Sequence, residues 1–338
     1  MKPKKSIASL SLDLDDKWSY LKTHGEPSWE SFPSYLNILV PRVLQFLEER
    51  ELTITFFVVG QDVALEKNHA ALKAIAAAGH EIGNHSFHHE PWLFHLQTEQ
   101  QIEIELVRAE ENIEHVTGQR PVGFRGPGFV CSQAILRVLA RRGYLYDTST
   151  LPSFLGPLSR IYYVRSARFT PEEKRKRSEI YGSFRDGLRP LRPYRWEIVS
   201  TGFDAGSQSR HTPGLIEIPV TTMPILKIPI HLSYILYISL FSPVLAMAYF
   251  RAALWLCRLT RIQPSLLLHP TDFLGCDDIQ DLSFFPAMTL PHEKKIRILS
   301  QVLQLLTNQF TVLTLQQHAR EITRTSDLPL VAPNFEPA

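Results

Sequence analysis

Alternating polar and apolar residues near the start of the chain predict a strand. Leucines at positions 10, 12 and 14 alternate with polar residues between Ser9 and Asp15. This two-residue period is typical of a strand with one buried face. Asp13 and Asp15 are therefore expected to lie on the same face.

Strands and helices then alternate along the chain. A second strand is predicted at 53–59, and a helix should follow it from the cap Asp62 to Gly79. Another helix is predicted from the cap Ser132 to Gly143. This rhythm favours a parallel sheet or barrel with helices on its outer face.

The most regular helical spacing of apolar residues lies between Thr98 and Gly118, after a capping box formed by Thr98 and Gln101. Further along the chain, the pattern predicts strands at 215–219, 264–268 and 310–315, with a final helix at about 292–308. We expect one α/β domain over residues 1–324, followed by a flexible tail at 325–338.

An apolar stretch of 23 residues begins at Ile228 and contains no formal charge. It is long enough to cross a membrane, which takes about 20 residues. Ser242 and Pro243 instead indicate a helix cap and first turn, so the stretch should split before a helix that ends at about Arg258. Arg251 and Arg258 are the charges of that helix, which should be buried or pressed against lipid. A span is disfavoured because residues on both sides of the stretch should complete one active site.

Composition limits the classes of function. The chain has 338 residues and is 44% hydrophobic, which is ample for a full-sized core, and 36 basic against 34 acidic residues give no case for nucleic-acid binding. The 3 cysteines have no metal-knuckle spacing, and the basic N-terminus leads into serines and aspartates rather than into a secretion signal. We therefore expect a cytoplasmic protein.

Basic residues concentrate in one window. Residues 160–196 contain 11 basic and 4 acidic residues, a net charge of +7, whereas the remainder has 25 basic and 30 acidic residues, a net charge of −5. The window belongs to an expected insertion at about 155–213. It is either a solvated insertion or a surface that faces phosphate or membrane.

Two polar clusters carry candidate chemistry. The first contains Asp13, Asp15 and Asp16, and the second contains His85 and His89 within GHEIGNHSFHH. Each is weak alone, because adjacent acids often cap helices and HxxxH is often two surface histidines. Together, a carboxylate and two neutral imidazoles form a three-ligand set that leaves positions open for water and substrate, as in hydrolytic zinc centres. The two histidines would share a face if their segment began a helix.

Amide cleavage also needs a base for the attacking water and a proton for the expelled amine. Asp13 lies one strand repeat before Asp15 and could act as the base. His269, in PSLLLHP, ends an apolar strand, where active-site residues of barrels emerge, and could act as the acid. A lone histidine at such a position is also often structural.

The ordered segments SLDLDD, TFFVVG, GHEIGNHSFHH, FRGPGF, GYLYDTSTLP and LLLHP resemble the polysaccharide deacetylase family. This family is also called carbohydrate esterase family 4 and has a NodB-like homology domain. The resemblance covers roughly residues 6–150 and 214–318. It implies a distorted (β/α) barrel and a divalent metal, usually zinc and sometimes cobalt, manganese or nickel.

Matched motif by motif, the resemblance implies Asp13 as general base, His269 as general acid, and Asp15, His85 and His89 as metal ligands. It also implies roles for residues around them.

Arg125, in the Arg-x-Pro motif, would orient the base, and Pro127 would shape the groove. Asp147 matches a Tyr-Asp-x-Ser segment and would pair with His269, although it could equally cap the next turn. The chain departs from the family where Leu14 separates the first aspartates, as in a DxD branch, which leaves Asp16 as a rival ligand. Gly128 in place of an aromatic residue, and the absence of a tryptophan after Asp147, argue against a long polymer groove.

The basic window and the apolar helix would both lie at the rim of such a barrel, around the active site. A lipid-linked sugar would suit them, with its phosphate bound by arginines such as those at 175, 177, 189 and 192. EIPVTTMP also resembles the lipid-linked 4-formamido-arabinose deformylases of this superfamily. We therefore predict a deacetylase or deformylase of a membrane-associated amino-sugar precursor, peripheral at the inner face of the membrane. The alternative substrates are soluble N-acetylglucosamine oligomers or peptidoglycan.

Two other classes of function compete with this hypothesis. A carboxylate and two histidines can hold Fe(II) for oxygen chemistry, but oxygenases usually place the first histidine and the acid one residue apart. A non-catalytic barrel that binds glycan or lipid would be expected to have lost a ligand or the acid, and none of those positions is lost.

Overall fold

The computed structural model describes residues 5–91, 94–158, 168–170, 172, 184–198 and 214–335. Most of the insertion expected at about 155–213, including Arg175 and Arg177, lies outside these residues.

The strands are β1 (Ser6–Leu14), β2 (Thr55–Val58), β3 (Glu81–Asn84), β4 (Gly123–Phe124), β5 (Tyr146–Asp147), β6 (Tyr194–Trp196), β7 (Ile216–Glu217), β8 (Ser265–Leu268), β9 (Phe310–Leu313) and β10 (Leu330–Val331). Within the described residues they form one sheet in the order β10-β6-β7-β5-β4-β3-β2-β1-β8, and β9 also pairs with β1. The pairs are parallel except for the antiparallel pair of β6 and β7.

Two hydrogen bonds curl this sheet towards closure. The Thr221 amide donates to the Ser265 carbonyl at 2.9 Å, and the Ser265 amide donates to Thr221 Oγ1 at 2.8 Å. They join the segment after β7 to β8, which lies at the far end of the strand order. The expected distorted α/β barrel is therefore confirmed, with closure made by a few bonds rather than by a full ladder.

The helices are α1 (Lys17–His24), α2 (Leu36–Glu48), α3 (Gly60–Val63), α4 (His69–Ala77), α5 (Glu99–Thr117), α6 (Gln133–Arg141), α7 (Leu232–Phe241), α8 (Pro243–Leu259), α9 (His292–Gln309) and α10 (Leu315–Thr325). Leucines 10, 12 and 14 of β1 pack in the main apolar core with residues of α2, α7, α8 and α9. The alternate residues of β1, up to Asp13, therefore face the interior of the curled sheet.

Capping signals located several helices correctly. The capping box of Thr98 and Gln101 begins α5, Ser132 caps α6, and Ser242 caps α8. Ser242 thereby divides the apolar stretch into α7 and α8, as predicted. In each case the side-chain oxygen satisfies a backbone amide that has no partner within its helix.

Three local predictions were wrong. Asp62 does not begin one helix that runs to Gly79, because its carboxylate accepts a hydrogen bond from Trp18 Nε1 at 2.6 Å, and the segment forms α3 and α4 separately. The helix at 292–309 is not the final one, since α10 follows β9. The tail expected to be flexible contains β10, which pairs with β6.

The surface of α7 and α8 is unusually apolar. Phe241, Val244 and Trp255 are 75%, 80% and 59% exposed, and Leu245 and Leu259 are also exposed. The opposite side of α8 lies in the main core, so the helix is apolar on both sides. No helix in the described part of the chain combines the length and hydropathy that a membrane crossing would need.

Candidate active site

Parallel strands carry the candidate residues to one edge of the sheet. Because the carboxyl ends of parallel strands meet at the same edge, residues that end or follow them converge there. The converging residues are Asp13 in β1 with Asp15 just after it, His85 after β3, Arg125 after β4, Asp147 at the end of β5 and His269 after β8.

Asp15, His85 and His89 form a buried cluster. Asp15 Oδ1 lies 3.4 Å from His85 Nε2 and 3.1 Å from His89 Nε2, and one potential ligand atom from each residue lies within 4.8 Å of the others. Within the described residues, Asp15 Oδ1 nevertheless has no hydrogen-bond partner. A buried carboxylate oxygen without a donor is costly. The donor set therefore fits a divalent cation held by one oxygen and two nitrogens.

The electrostatics of this cluster also favour a cation. Burial raises the pKa of Asp15, but His89 and His85 outweigh that effect and hold the pKa well below its usual range. Burial alone would lower the pKa of His85, but the negative charges of Asp13 and Asp15 have the larger effect, and the pKa is raised overall. Each shift reflects an attraction between positive charge and the carboxylates at this position.

A backbone contact orients the His85 ring. His85 Nδ1 lies 2.6 Å from the Arg125 carbonyl oxygen, which can only accept, so this nitrogen carries the proton. Nε2 is then left with a lone pair directed at Asp15. Fixing the tautomer through the second ring nitrogen is how proteins usually prepare a histidine ligand.

The histidine pair lies on a loop rather than on a helix, which corrects the sequence prediction. Ser86 and His89 have φ values of 62° and 50°, which are incompatible with a right-handed helix. Asn84 Oδ1 accepts the Ser86 amide at 2.9 Å, and Ser86 Oγ accepts the His89 amide at 3.2 Å. These bonds bring His89 back towards His85. Non-glycine residues in this region carry strain that functional sites often retain.

Glu105 of α5 holds the outer side of the same loop. Its Oε2 accepts the amides of Phe87 and His88, each at 3.1 Å, and its Oε1 pairs with the His88 ring. His88 therefore faces away from the cluster and serves to anchor the loop. Sequence reasoning missed Glu105, since nothing in a regular helix marks a side chain that contacts a distant loop.

Asp13 is paired with Arg125. Arg125 Nη1 donates to Asp13 Oδ1 at 2.6 Å and to Ser11 Oγ at 3.0 Å, while Nε and Nη2 bind the carbonyl and hydroxyl of Thr148 at 3.2 and 3.1 Å. The guanidinium is fully buried and lies 4.5 Å above the Phe57 ring. These contacts leave Asp13 with one fixed orientation.

Asp16, the rival ligand, is a helix cap. Its Oδ1 accepts the amides of Lys17 at 2.7 Å and Tyr35 at 2.9 Å, at the start of α1 and α2. It is not part of the cluster formed by Asp15 and the two histidines. Strand alternation, which turns it away from Asp13 and Asp15, explains the difference.

His269 lies beside Asp13. The register of β1 and β8 pairs Leu12 with Leu268, so the next residues, Asp13 and His269, are neighbours at the carboxyl ends of adjacent strands. His269 Nδ1 lies 3.0 Å from Ser233 Oγ, and Ser233 donates to Asp272 Oδ1 at 2.7 Å. The sequence predicted that the ends of β1 and β8 meet at the site. It did not predict that Ser233 and Asp272 contact His269.

Asp147 does not accompany His269, contrary to the sequence prediction. Ser149 Oγ donates to Asp147 Oδ1 at 2.5 Å, and Cys131 Sγ lies 3.7 Å from its Oδ2. Burial raises the pKa of Asp147 and of its neighbour Glu217. Ser149 also accepts the amide of Gly126 at 2.8 Å. Asp147 therefore supports the loop that follows Arg125, where Pro127 begins a short turn.

A second group of potential ligands needs no cation. Asp277 Oδ1 accepts the backbone amide of His292 at 2.9 Å, and Asp277 Oδ2 lies 2.6 Å from the His292 ring nitrogen Nδ1. Both oxygens of Asp278 form an ion pair with Arg42, at 2.6 and 2.8 Å. These carboxylates have protein partners. The cluster at Asp15 differs from them because its central oxygen, Asp15 Oδ1, has no hydrogen-bond partner among the described residues.

The fold and this donor set define a curled α/β barrel with a metal-binding type of cluster at the carboxyl ends of its strands. Residues 20–146 match the family model described as polysaccharide deacetylase. The matched segment includes His85, His89 and Arg125. This segment of the chain is therefore similar to the polysaccharide deacetylase family, in agreement with the resemblance of its motifs.

Two curated relatives have names that agree with this family. The chain is 29% identical over 166 residues to a peptidoglycan deacetylase of Helicobacter pylori, a match that covers 48% of this chain and 54% of that protein. It is 36% identical over 111 residues to the peptidoglycan-N-acetylmuramic acid deacetylase PdaA of Bacillus subtilis, covering 32% of this chain and 41% of that protein. The chain thus matches about half the length of these relatives, or less.

A solved structure supports the fold over nearly the whole chain. A candidate polysaccharide deacetylase from Mycobacterium smegmatis superposes with a TM-score of 0.58 at 18% identity. The superposition covers 99% of this chain and 97% of that one. At this level of identity the likeness establishes the distorted barrel and nothing about substrate.

Proposed function

We propose that this protein hydrolyses the N-acyl amide of an amino sugar with the help of a divalent metal ion. The observation that carries the proposal is the buried Asp15 oxygen, which faces two imidazole nitrogens and has no hydrogen-bond donor among the residues that the structure describes. A cation held by Asp15, His85 and His89 would polarise the amide carbonyl and make water more acidic.

Asp13 takes the proton from the attacking water. Arg125 fixes this carboxylate beside the cluster, so the base is in place before substrate binds. A C–O bond forms at the amide carbon and the C–N bond breaks. The products are a short carboxylic acid, acetic or formic, and a free amino sugar.

His269 supplies the proton that the leaving amine needs. It follows β8 directly beside Asp13, so a substrate amide bound between them would have base and acid on neighbouring strands. The division of roles follows from chemistry, because an ionised carboxylate can accept a proton and a histidine side chain can donate one.

The substrate class we propose is a lipid-linked or cell-envelope amino sugar. Peptidoglycan deacetylases among the relatives favour a cell-envelope glycan, and the apolar surface beside the site favours a lipid-linked form of it. Arg189 and Arg192, suggested by the sequence for phosphate binding, donate instead to the carbonyls of Asn334 at 3.2 Å and Thr260 at 2.6 Å. Arg251 and Arg258, which lie on α8 beside the apolar surface, are therefore the better candidates for binding phosphate.

Substrate choice can be tested directly. Purified protein with zinc should be offered soluble N-acetylglucosamine oligomers, peptidoglycan fragments and polyprenyl-phosphate amino sugars, with release of acetate or formate as the readout. We expect faster turnover of the polyprenyl-linked sugar. Turnover of the oligomers alone would overturn the lipid-linked form of the proposal, and turnover of none with any divalent metal would overturn the hydrolase.

The face formed by α7 and α8 is proposed to lie against a membrane surface. The exposed side chains of α8 follow one stripe, Val244, Ala248 and Trp255, and Arg251 and Arg258 flank it on one side, two turns apart. Residues 218–271 contain no aspartate or glutamate. An apolar stripe with aromatic residues and only positive charge complements an anionic lipid surface.

A vesicle sedimentation assay tests this face. The protein should bind vesicles that contain phosphatidylglycerol more tightly than vesicles of phosphatidylcholine. Replacing Val244 and Trp255 with glutamate should abolish binding, whereas Ile104→Glu, at an exposed apolar position on α5, should not change it. Equal binding by the double variant, or no binding by the unmodified protein, would contradict the proposal.

A further inference from the structure

A serine stands between His269 and a buried carboxylate. Ser233, in the first turn of α7, donates to Asp272 Oδ1 at 2.7 Å, and its oxygen lies 3.0 Å from His269 Nδ1. The other carboxylate oxygen of Asp272 accepts the backbone amide of His269 at 2.8 Å. Asp272 therefore holds residue 269 twice, once through the backbone and once through the serine.

The count of protons fixes the direction of these bonds. A serine hydroxyl carries one proton, and a carboxylate can only accept. The proton of Ser233 therefore goes to Asp272, and its lone pair accepts from Nδ1–H of His269. This arrangement leaves Nε2 as the nitrogen that exchanges its proton with a substrate.

We propose that Ser233 and Asp272 are positioning residues for His269, which they hold with Nδ1 protonated and Nε2 free to donate to the leaving amine. The carboxylate stabilises the imidazolium through the intervening hydroxyl. The inference rests on the proposed role of His269 as general acid. Because Ser233 belongs to α7, this contact also joins the acid to one of the two helices that form the apolar face.

The other titratable groups around this relay are His231 before α7, Tyr20 of α1, Lys295 of α9 and Asp13 of β1. His231 lies 6.1 Å from His269 between ring centroids, and removal from water together with His269 lowers the pKa of His231 to about 3. It is therefore neutral at neutral pH and does not compete with His269 for the proton. Lys295 is bonded to the carbonyls of Thr271 and Leu274 at 2.8 and 2.6 Å.

Nuclear magnetic resonance of ¹⁵N-histidine-labelled full-length protein tests the positioning without any turnover. The His269 signals are identified by their loss in His269→Gln. We expect the Nδ1-protonated tautomer in the unmodified protein, and a mixture of tautomers with a titration midpoint at lower pH in Ser233→Ala and Asp272→Asn. Ser233→Thr, which keeps the hydroxyl, should restore the native spectrum. An unchanged tautomer and midpoint in both Ser233→Ala and Asp272→Asn would overturn the proposal.

Kinetics provide the second readout. Ser233→Ala should lower kcat by about 10- to 100-fold, a part of what a general acid contributes, with little change in KM, and the alkaline limb of the kcat profile should move to lower pH. Ser239→Ala is the matched control, because Ser239 lies on the same helix and donates only to the Leu236 carbonyl at 2.6 Å. If the unmodified protein turns over no amino-sugar amide, the proposed function fails, and the tautomer measurement still decides the positioning.

Discussion

At the scale of single residues, two aspartates that are two positions apart have different neighbours and so different roles. Asp13 faces a buried guanidinium at 2.6 Å, whereas Asp15 faces two imidazoles at 3.1 and 3.4 Å. The guanidinium binds one oxygen of Asp13 and so orients the carboxylate. Two imidazole lone pairs leave the carboxylate oxygen open to a cation. In our proposal, the same residue type is thus an oriented base in one place and a metal ligand in the other.

Asp13→Asn should abolish most of the activity and leave metal binding intact. The amide cannot accept the proton of water, so kcat should fall by at least about 100-fold. Bound zinc, measured after dialysis, should stay equimolar with the protein. Loss of zinc from this variant would contradict the division of roles between Asp13 and Asp15.

Arg125→Lys should destabilise the protein. The lysine keeps the charge but cannot bind Asp13, Ser11 and Thr148 together, so a buried charge loses partners, at a cost of about 3 kcal/mol in the free energy of unfolding. Denaturant unfolding followed by fluorescence provides the measurement. Arg120→Lys is the control, because Arg120 is exposed and, within the described residues, makes one 3.4 Å bond to the Arg142 carbonyl. Equal loss in both variants would argue against a special role for the Arg125 network.

The sequence predicted which residues gather at the site better than how they are held. Motifs identified the residues of the site, which are Asp13, Asp15, His85, His89 and Arg125. The helix predicted for the histidine pair does not form, because side-chain hydrogen bonds from Asn84 and Ser86 hold the segment as a loop. Asp272 was recognisable in principle, since HPTD places an acid three residues after His269 with proline at the first turn position. Ser233 gives no local signal, because its partner lies on another element.

At the scale of elements, α10 closes the amino end of the curled sheet. Leu315, Ala319 and Ile322 pack with Phe57 and Tyr146 in an apolar cluster opposite the site. His318 joins this helix to β1, with Nδ1 at 2.9 Å from Ser9 Oγ and Nε2 at 3.0 Å from Gln263 Oε1. The neutral imidazole satisfies both contacts, and burial disfavours its charged form.

His318 should make the protein less stable in acid. Burial lowers the pKa of His318 from 6.5 to about 4, so between these pH values the unfolded chain binds the proton and the folded chain does not. Stability should therefore fall as the pH drops from 6.5 to 4, by about 3 kcal/mol in total. Urea unfolding at several pH values across this range should show that the free energy of unfolding falls less steeply with decreasing pH in His318→Gln than in the unmodified protein. Identical slopes would show that His318 titrates in the same way in both states.

Elements with caps were predictable, and elements without local signals were not. The boundaries of α5, α6 and α8 followed from Thr98, Ser132 and Ser242, each of which bonds an amide of its own first turn. The predicted helix at 62–79 failed because Asp62 bonds a tryptophan from α1 instead of its own helix. The helix α10 was missed although Thr314 and Gln317 form a capping box, because the apolar spacing before it was assigned wholly to a strand.

At the scale of the whole molecule, metal binding should be linked to folding. Asp15 lies just after β1 and His85 just after β3, so a cation between them ties together separate parts of the sheet. Ligand bound only by the folded state stabilises it, by about 4 kcal/mol at a thousandfold excess over Kd. This linkage gives the site a signature that does not depend on substrate.

Zinc should therefore raise Tm in calorimetry of the unmodified protein and not in His89→Gln. His89 is the best of the proposed ligands to replace, because its Nδ1 makes no hydrogen bond in the described part of the chain and its loss disturbs little else. His88→Gln is the matched control, since His88 lies beside it but bonds to Glu105. A zinc response that survives in His89→Gln and disappears in His88→Gln would contradict the assignment.

Anomalous diffraction at the zinc edge, from crystals grown with zinc, tests the central claim most directly. The account predicts a peak at about 2.0–2.2 Å from Asp15 Oδ1, His85 Nε2 and His89 Nε2. The same map also examines the second group of potential ligands, Asp277, Asp278 and His292. A peak only at that second group, or no peak beside Asp15, would contradict a metal-dependent site at the carboxyl ends of the strands.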